Sequence, residues 1–200
     1  MTFARFAQRT RPAAGLIAVF AIVLGARLWL IDRTGSEVPI LDQWDAEGAF
    51  LLKPFVQGSL RLADLFAPHN EHRLVLTRLW SLLLFVLNGQ WDPFLEIVVN
   101  AVLVASIAVV FAFAASRLFP DRQRAYVLVA VTMWAALPYA QENTIWGFQS
   151  QFYFLLLFSL LAIWTLLNAK RDWRLIVIGG AAALIACFSM ISGFLCAVAV

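Results

Sequence analysis

Long apolar runs alternate with short polar gaps along this chain. Residues 13–31 form the first run, and they meet the roughly 20 residues a transmembrane helix needs. Residues 94–118, 125–140, 152–167 and 175–188 repeat the pattern. The third and fourth runs are marginal in length, so their ends are expected to extend into flanking residues. Gly179-Gly180 permits close helix approach. Ser189-Met-Ile-Ser-Gly193 reads as a turn into the start of a sixth span at 194–200. Arg27 lies about one turn from the end of the first run, where a long side chain can snorkel to the interface.

Residues 32–93 break the pattern. The apolar piece at 49–55 is interrupted by Lys53-Pro54, and proline cannot continue a helix undisturbed. Residues 60–66 are a second short amphipathic piece, and both read as helices lying on the membrane surface. Residues 74–87 are apolar but make only about 21 Å of helix against about 30 Å of hydrocarbon, and they contain Arg78. Basic residues decide between two parses. Arg5, Arg9 and Arg11 precede the first span and put the N-terminus in the cytoplasm. If 74–87 spans, the basic loops 117–124 and 170–174 both fall outside, against the positive-inside bias. If it does not, both fall inside. The second parse is taken, with 74–87 a juxtamembrane or re-entrant helix.

The expected fold class is therefore all-α: one multi-pass transmembrane bundle over residues 1–200 with a long outer loop of juxtamembrane helices. Composition agrees. Hydrophobic residues make up 62% and charged residues 14%, against about 45–50% and 25% for soluble domains. The net charge of +3 is scattered and forms no basic stripe, which argues against nucleic acid as a partner. Cys187 and Cys196 sit in apolar surroundings and read as small core residues. The chain stops inside an apolar run, which suggests the N-terminal part of something longer.

On this parse nearly all acids face outward: Asp32, Glu37, Asp42, Asp45, Glu47, Asp64, Glu71, Asp92 and Glu142, with Glu96 at the outer membrane edge. Asp42-Gln43-Trp44-Asp45-Ala46-Glu47 offers a general base, or ligands for a hard divalent cation such as Mg²⁺ or Mn²⁺. Asp42 and Asp45 are three apart, so an α-helix would set both on one face. The plain alternative is a solvated acidic face, with Trp44 as an interfacial anchor. His69-Asn70-Glu71-His72-Arg73 is the second cluster. It lacks zinc-site spacing, and its Arg73 suits a phosphate. The plain alternative is a helix start with Asn70 as N-cap. The loop 141–151 brings Glu142 together with Trp146, Gln149 and Gln151, a composition that stacks on and hydrogen-bonds to sugars, or an ordinary wet loop. No nucleotide-binding or serine-hydrolase motif is present.

This layout resembles the GT-C superfamily of integral-membrane glycosyltransferases, nearest to the bacterial protein-mannosyltransferase-like and aminoarabinose-transferase-like branch. Residues 42–47 correspond to its first acidic motif and His69-Asn-Glu-His-Arg-Leu74 to its "HPPL"-like segment. Leu87-Asn-Gly89 corresponds to the helix end, Ser116-Arg-Leu-Phe-Pro120 to the inner turn and Glu142 to the second acid. The adjacent Asp-Glu pair of that branch is absent, and Asn70 and Glu71 replace its two prolines.

The resemblance implies sugar transfer from a polyprenyl-phosphate donor to a glycan, lipid or protein acceptor, with inversion, at the outer face of a bacterial inner membrane. Asp42 or Asp45 would be the base, and Glu142 would position acceptor or metal. Arg73 would contact phosphate with Lys53 or His72, while Trp44, Glu47, His69, Glu71, Trp146, Gln149 and Gln151 would line the substrate. The competing expectation is a non-enzymatic membrane protein (a transporter, flippase or assembly subunit) or an inactive fragment of a transferase. Charges inside the bundle would favour the former.

Overall fold

The computed structural model describes residues 3–198, with side chains from residue 13 onward except those of 140 and 196–198. The arginines at 5, 9 and 11 and Cys196 therefore fall outside the described side chains. Among the described residues there is no β-strand, only an isolated bridge between His69 and His72. The helices are α1 (Phe3–Thr34), a π-helical segment (Gln43–Leu52), α2 (Lys53–Val56), α3 (Leu62–Leu65), α4 (Val75–Asn88), α5 (Pro93–Ser116), α6 (Asp121–Ala136), α7 (Gln141–Ile145), α8 (Ser150–Ala169), α9 (Trp173–Cys187) and α10 (Gly193–Val198). Short 3₁₀ turns, Pro138–Ala140 and Gly147–Gln149, flank α7.

Local chemistry sets the boundaries. Asp92 caps α5 by accepting from the Leu95 N–H at 2.9 Å, with Pro93 at the first helical position. Asp172 caps α9 in the same way through Arg174 N–H at 3.0 Å. Helix α6 stops at Ala136, four residues short of position 140, because Pro138 drives Leu137 into an extended backbone.

Three helices are long and apolar enough to cross a membrane: Ala13–Thr34, Pro93–Ser116 and Gly147–Ala169. At 16 and 15 residues, α6 and α9 reach only about 24 and 22 Å.

Packing is the inverse of a soluble core. Many of the buried residues between helices are small: Ala101, Ala105, Ala108 and Ala112 of α5, Ala135 of α6, Ala162 of α8, and Ala182, Ala183 and Ala186 of α9. Large apolar side chains such as Ile17, Ile22, Val110, Ile163 and Leu184 point outward. Lipid gives no hydrophobic drive between helices, so close backbone approach through small residues does the packing. Gly179 is a point of close approach between α8 and α9. A Cβ there would lie 2.4 Å from Leu166 Cγ and 2.7 Å from Thr165 Oγ1, whereas one on Gly180 would meet nothing.

The five bundle helices alternate in direction. Ile31 of α1 packs on Ile97 of α5, so the end of the first meets the start of the second. Gly15 lies against Leu128 and Arg27 against Ala135, so α6 runs parallel to α1. One end of the bundle thus gathers the end of α1, the start of α5, the end of α6, the start of α8 and the end of α9. The opposite end carries the α5–α6 and α8–α9 connections, with Arg117, Arg122, Arg124, Lys170, Arg171 and Arg174.

Helix α4 lies across the loop-bearing end. Its Val75 N–H donates to Phe188 O at 3.0 Å, at the finish of α9. Thr77 accepts from Ser150 Oγ at 3.0 Å, at the start of α8. Trp80 packs edge-on against Phe154 and donates to Asn100 Oδ1 at 3.2 Å. Phe85 packs against Phe55. Arg78 is buried, and its Nη1 donates to the carbonyls of Leu65 at 2.8 Å and Ala67 at 2.5 Å, closing the C-terminal end of α3.

Arg27 does not snorkel. It is 7% exposed, and Nη1 donates to Thr144 Oγ1 while Nη2 donates to the Ala135 carbonyl at 3.0 Å. Helix α6 ends beside it and leaves its last carbonyls without helical partners, so the guanidinium turns inward to meet them.

Candidate functional site

The loop-bearing end is built on the π-helical segment. Asp42 stands at its start, and Gln43, Ala46, Glu47, Leu51 and Leu52 are its buried residues. The wider winding, closed for example by the Lys53 N–H to the Gly48 carbonyl, spaces its inward positions at four and five residues. Such windings are rare and concentrate at functional sites.

Two carboxyl groups meet under it. Gln43 Nε2 donates to Glu47 Oε2 at 2.9 Å and to Glu96 Oε2 at 3.0 Å. Gln43 Oε1 accepts from the Ile40 N–H at 3.1 Å, which fixes the amide with its NH₂ toward the acids. Ser81 Oγ donates to Glu47 Oε1 and lies 3.3 Å from Glu96 Oε1. A hydroxyl has one proton to give, so its second carboxyl contact is satisfied when that carboxyl is itself protonated and donates back. Both glutamates are almost fully buried. Burial pushes the Glu47 carboxyl above the ordinary range, against the opposing hydrogen bonds from Ser81, Gln43 and Glu96.

The second loop seals this pair. A Cβ on Gly147 would lie 2.4 Å from Glu96 Oε2 and 3.1 Å from Gln43 Nε2, so only glycine allows the approach. Asn100 Nδ2 donates to the Gly147 carbonyl at 2.7 Å and holds the loop down.

Beside the pair, Asp42 Oδ2 lies 3.3 Å from His69 Nε2. The His69 ring packs edge-on against Phe148 of the second loop with centroids 5.2 Å apart. Ala46, Leu74 and Phe148 form one small apolar cluster, with Trp146 against it. The first acidic motif, the histidine turn and the second loop therefore make one wall.

His69 and His72 exchange backbone hydrogen bonds at 2.8 and 3.0 Å. Asn70 sits in that turn with φ of 51°, a left-handed conformation asparagine tolerates. Asn70 is thus a turn residue and not a helix N-cap, since α4 begins only at Val75.

The remaining sequence candidates separate into other patches. Asp45 is exposed, whereas Asp42 is half-buried on His69. The Ala46 N–H closes the first turn on the Asp42 carbonyl at 2.7 Å, and of the two aspartates Asp42 is the one that meets His69 while Asp45 faces outward. Trp44 packs edge-on against Trp91, in an open groove that Lys53 also lines. Glu71 and Arg73 line a groove with Phe188 and Ile191, and Arg73 Nη1 donates to the Phe66 carbonyl at 2.7 Å. His72 Nδ1 accepts from the Ile191 N–H at 3.3 Å. Glu142 is exposed on α7. Gln149 and Gln151 are buried, with Gln151 Nε2 donating to Gln149 Oε1 at 3.1 Å. Among the described residues, Gln151 Oε1 and Trp146 Nε1 are buried without a partner.

Among the described residues, no three His, Cys, Asp or Glu side chains converge as a metal ligand set. Gln43, Ser81, Glu96, Asn100 and Gly147 were not sequence candidates. The available signal was Glu96, a carboxylate in the first turn of an apolar helix long enough to span, where an acid calls for a partner. Comparison with protein-family models, curated proteins and solved structures finds no match to this chain.

Proposed function

We propose that this chain is a membrane glycosyltransferase, or the N-terminal portion of one, acting on a polyprenyl-phosphate sugar at the loop-bearing end of the bundle. The observation that carries the reading is the Asp42–His69 pair, held by Phe148 so that the first and second loops share one wall. Asp42 is the base: it takes the proton of the acceptor hydroxyl, whose oxygen attacks the anomeric carbon. The bond from that carbon to the lipid phosphate breaks with inversion. His69 orients the carboxylate. Arg73, exposed on the same end, receives the departing phosphate. Glu142, on the exposed rim, positions the acceptor. The basic end lies in the cytoplasm and the loop-bearing end outside a bacterial inner membrane, as the positive-inside bias directs.

The test is transfer from a lipid-linked sugar in membranes carrying each variant. General-base removal in Asp42→Asn lowers the rate by about 10²–10⁴, and His69→Gln lowers it less. Full transfer by stably folded Asp42→Asn sinks Asp42 as the base, and full transfer by Asp45→Asn and Glu142→Gln as well sinks the transferase reading.

A second reading draws on the charges inside the bundle. Arg27 and Glu96 are buried on membrane-length helices, and such residues mark translocation paths. It predicts movement of lipid-linked sugar across a reconstituted bilayer without acceptor, abolished by Glu96→Gln and untouched by Asp42→Asn.

A further inference from the structure

Arg27 poses a charge problem that neither loop answers. Its side chain is 7% exposed, and among the described residues it forms no ion pair. It donates to Thr144 Oγ1 and to the Ala135 carbonyl, while its buried Nε–H has no acceptor among the described residues. The C-terminal carbonyls of α6 supply the equivalent of about half a negative charge. A net positive charge stays inside a bundle whose outer surface is apolar, where a cation is costly and calls for a partner.

The space beside it says what that partner is like. A cavity of about 210 Å³ opens between α1, α5, α6 and α8 against the guanidinium. Its walls include Ile107, Phe111, Trp134, Phe152, Tyr153 and Leu156. A dry cavity of about 150 Å³ already holds a benzene ring, so this one holds a length of hydrocarbon. Trp134 of α6 and Leu156 of α8 line it and are 49% and 38% exposed, so the cavity is open on their side. A charged, donor-rich inner end and apolar walls leading to the bilayer complement an amphiphile with an anionic head.

We infer that this cavity binds an anionic lipid of the surrounding membrane, its phosphate or carboxylate head against Arg27 and the first part of its chain between α6 and α8. The head accepts from Nε–H and completes the guanidinium's partners. The site shares no residue with the Asp42–His69 or Glu47–Glu96 groups, so the inference does not rest on the transferase reading.

The full chain in neutral maltoside micelles is titrated with oleate, with lysophosphatidate and with uncharged monoolein, and bound lipid is counted by native mass spectrometry. One charge-assisted hydrogen bond more in the anionic lipids gives about tenfold tighter binding than monoolein, or better. Oleate alone showing the preference identifies a carboxylate source, lysophosphatidate alone a phosphate source, and both a general anion site. Arg27→Gln reduces the anionic lipids to the monoolein level. Leu156→Trp, which narrows the cavity from its exposed side, weakens all three, and Asp42→Asn changes none. Equal binding of charged and uncharged lipids overturns the inference, as does undiminished anionic binding in Arg27→Gln. Where Arg27→Gln does not fold, Leu156→Trp decides: wild-type anionic binding in that variant overturns the inference, and its loss upholds it.

Discussion

Glu47 and Glu96 face each other across one amide and one hydroxyl, and a proton between them is what makes the arrangement satisfiable. The folded Glu47 carboxyl binds its proton more tightly than the unfolded chain does. Its contribution is therefore complete below the unfolded value of about 4.3 and is lost as pH rises through the raised folded value. Thermal unfolding in detergent should show stability falling from acid to alkaline pH, and Glu47→Gln should flatten that slope. A slope unchanged in Glu47→Gln would place the titration elsewhere. Gly147→Ala tests the seal over the pair. A Cβ 2.4 Å from Glu96 Oε2 must displace the loop, at about 1–3 kcal/mol, read as a lower melting temperature and a newly labelled cysteine at Ser150. The sequence showed Glu47 within an acidic motif but not its partner 49 positions on, because a contact between a loop and a helix start leaves no periodic trace. Asp42 and Asp45 were legible as candidates. Their different surroundings were not, since His69, which meets only Asp42, lies 27 positions further on.

At the level of helices, the apolar runs were readable because lipid-facing positions must be apolar whatever the helix packs against. The ends were less so. Helix α6 begins in the charged stretch at Asp121 and stops before Pro138, so its apolar centre is not centred on its length. The adjacent glycines at 179 and 180 were legible only as a place where helices approach. The structure divides their roles, and the paired substitution should too. Gly179→Ala forces α9 off α8 and costs about 1–3 kcal/mol. Gly180→Ala meets open space and adds about 0.5–1 kcal/mol of helix stability. Denaturation of the two variants in the same detergent separates them, and equal effects would mean that the α8–α9 contact is not where the strain falls.

For the molecule as a whole, charge is sorted along the bundle axis, with basic connections at one end and acidic loops at the other. Single cysteines at Ser59, Gln90 and Gln141, in a chain lacking Cys187 and Cys196, should all label from one side of a sealed membrane. Cysteines at Gln123 and Arg171 should label only from the other. Ser59 and Gln90 labelling from opposite sides would make α4 a spanning helix and break the shared wall.

The first loop also carries a consequence in time. His72 accepts from an N–H that lies 119 positions further along the chain, and Val75 donates to Phe188 near the same point. At about 5–20 residues per second of synthesis, that separation corresponds to about 6–24 s. Throughout that interval the histidine turn exists without the backbone it docks on, and for the 51 positions between Glu96 and Gly147 the glutamate pair exists without the glycine that covers it. The loop-bearing end is therefore assembled last, by the arrival of α8 and α9. A ribosome stalled before residue 188 would display an inserted chain whose candidate site is still open to water.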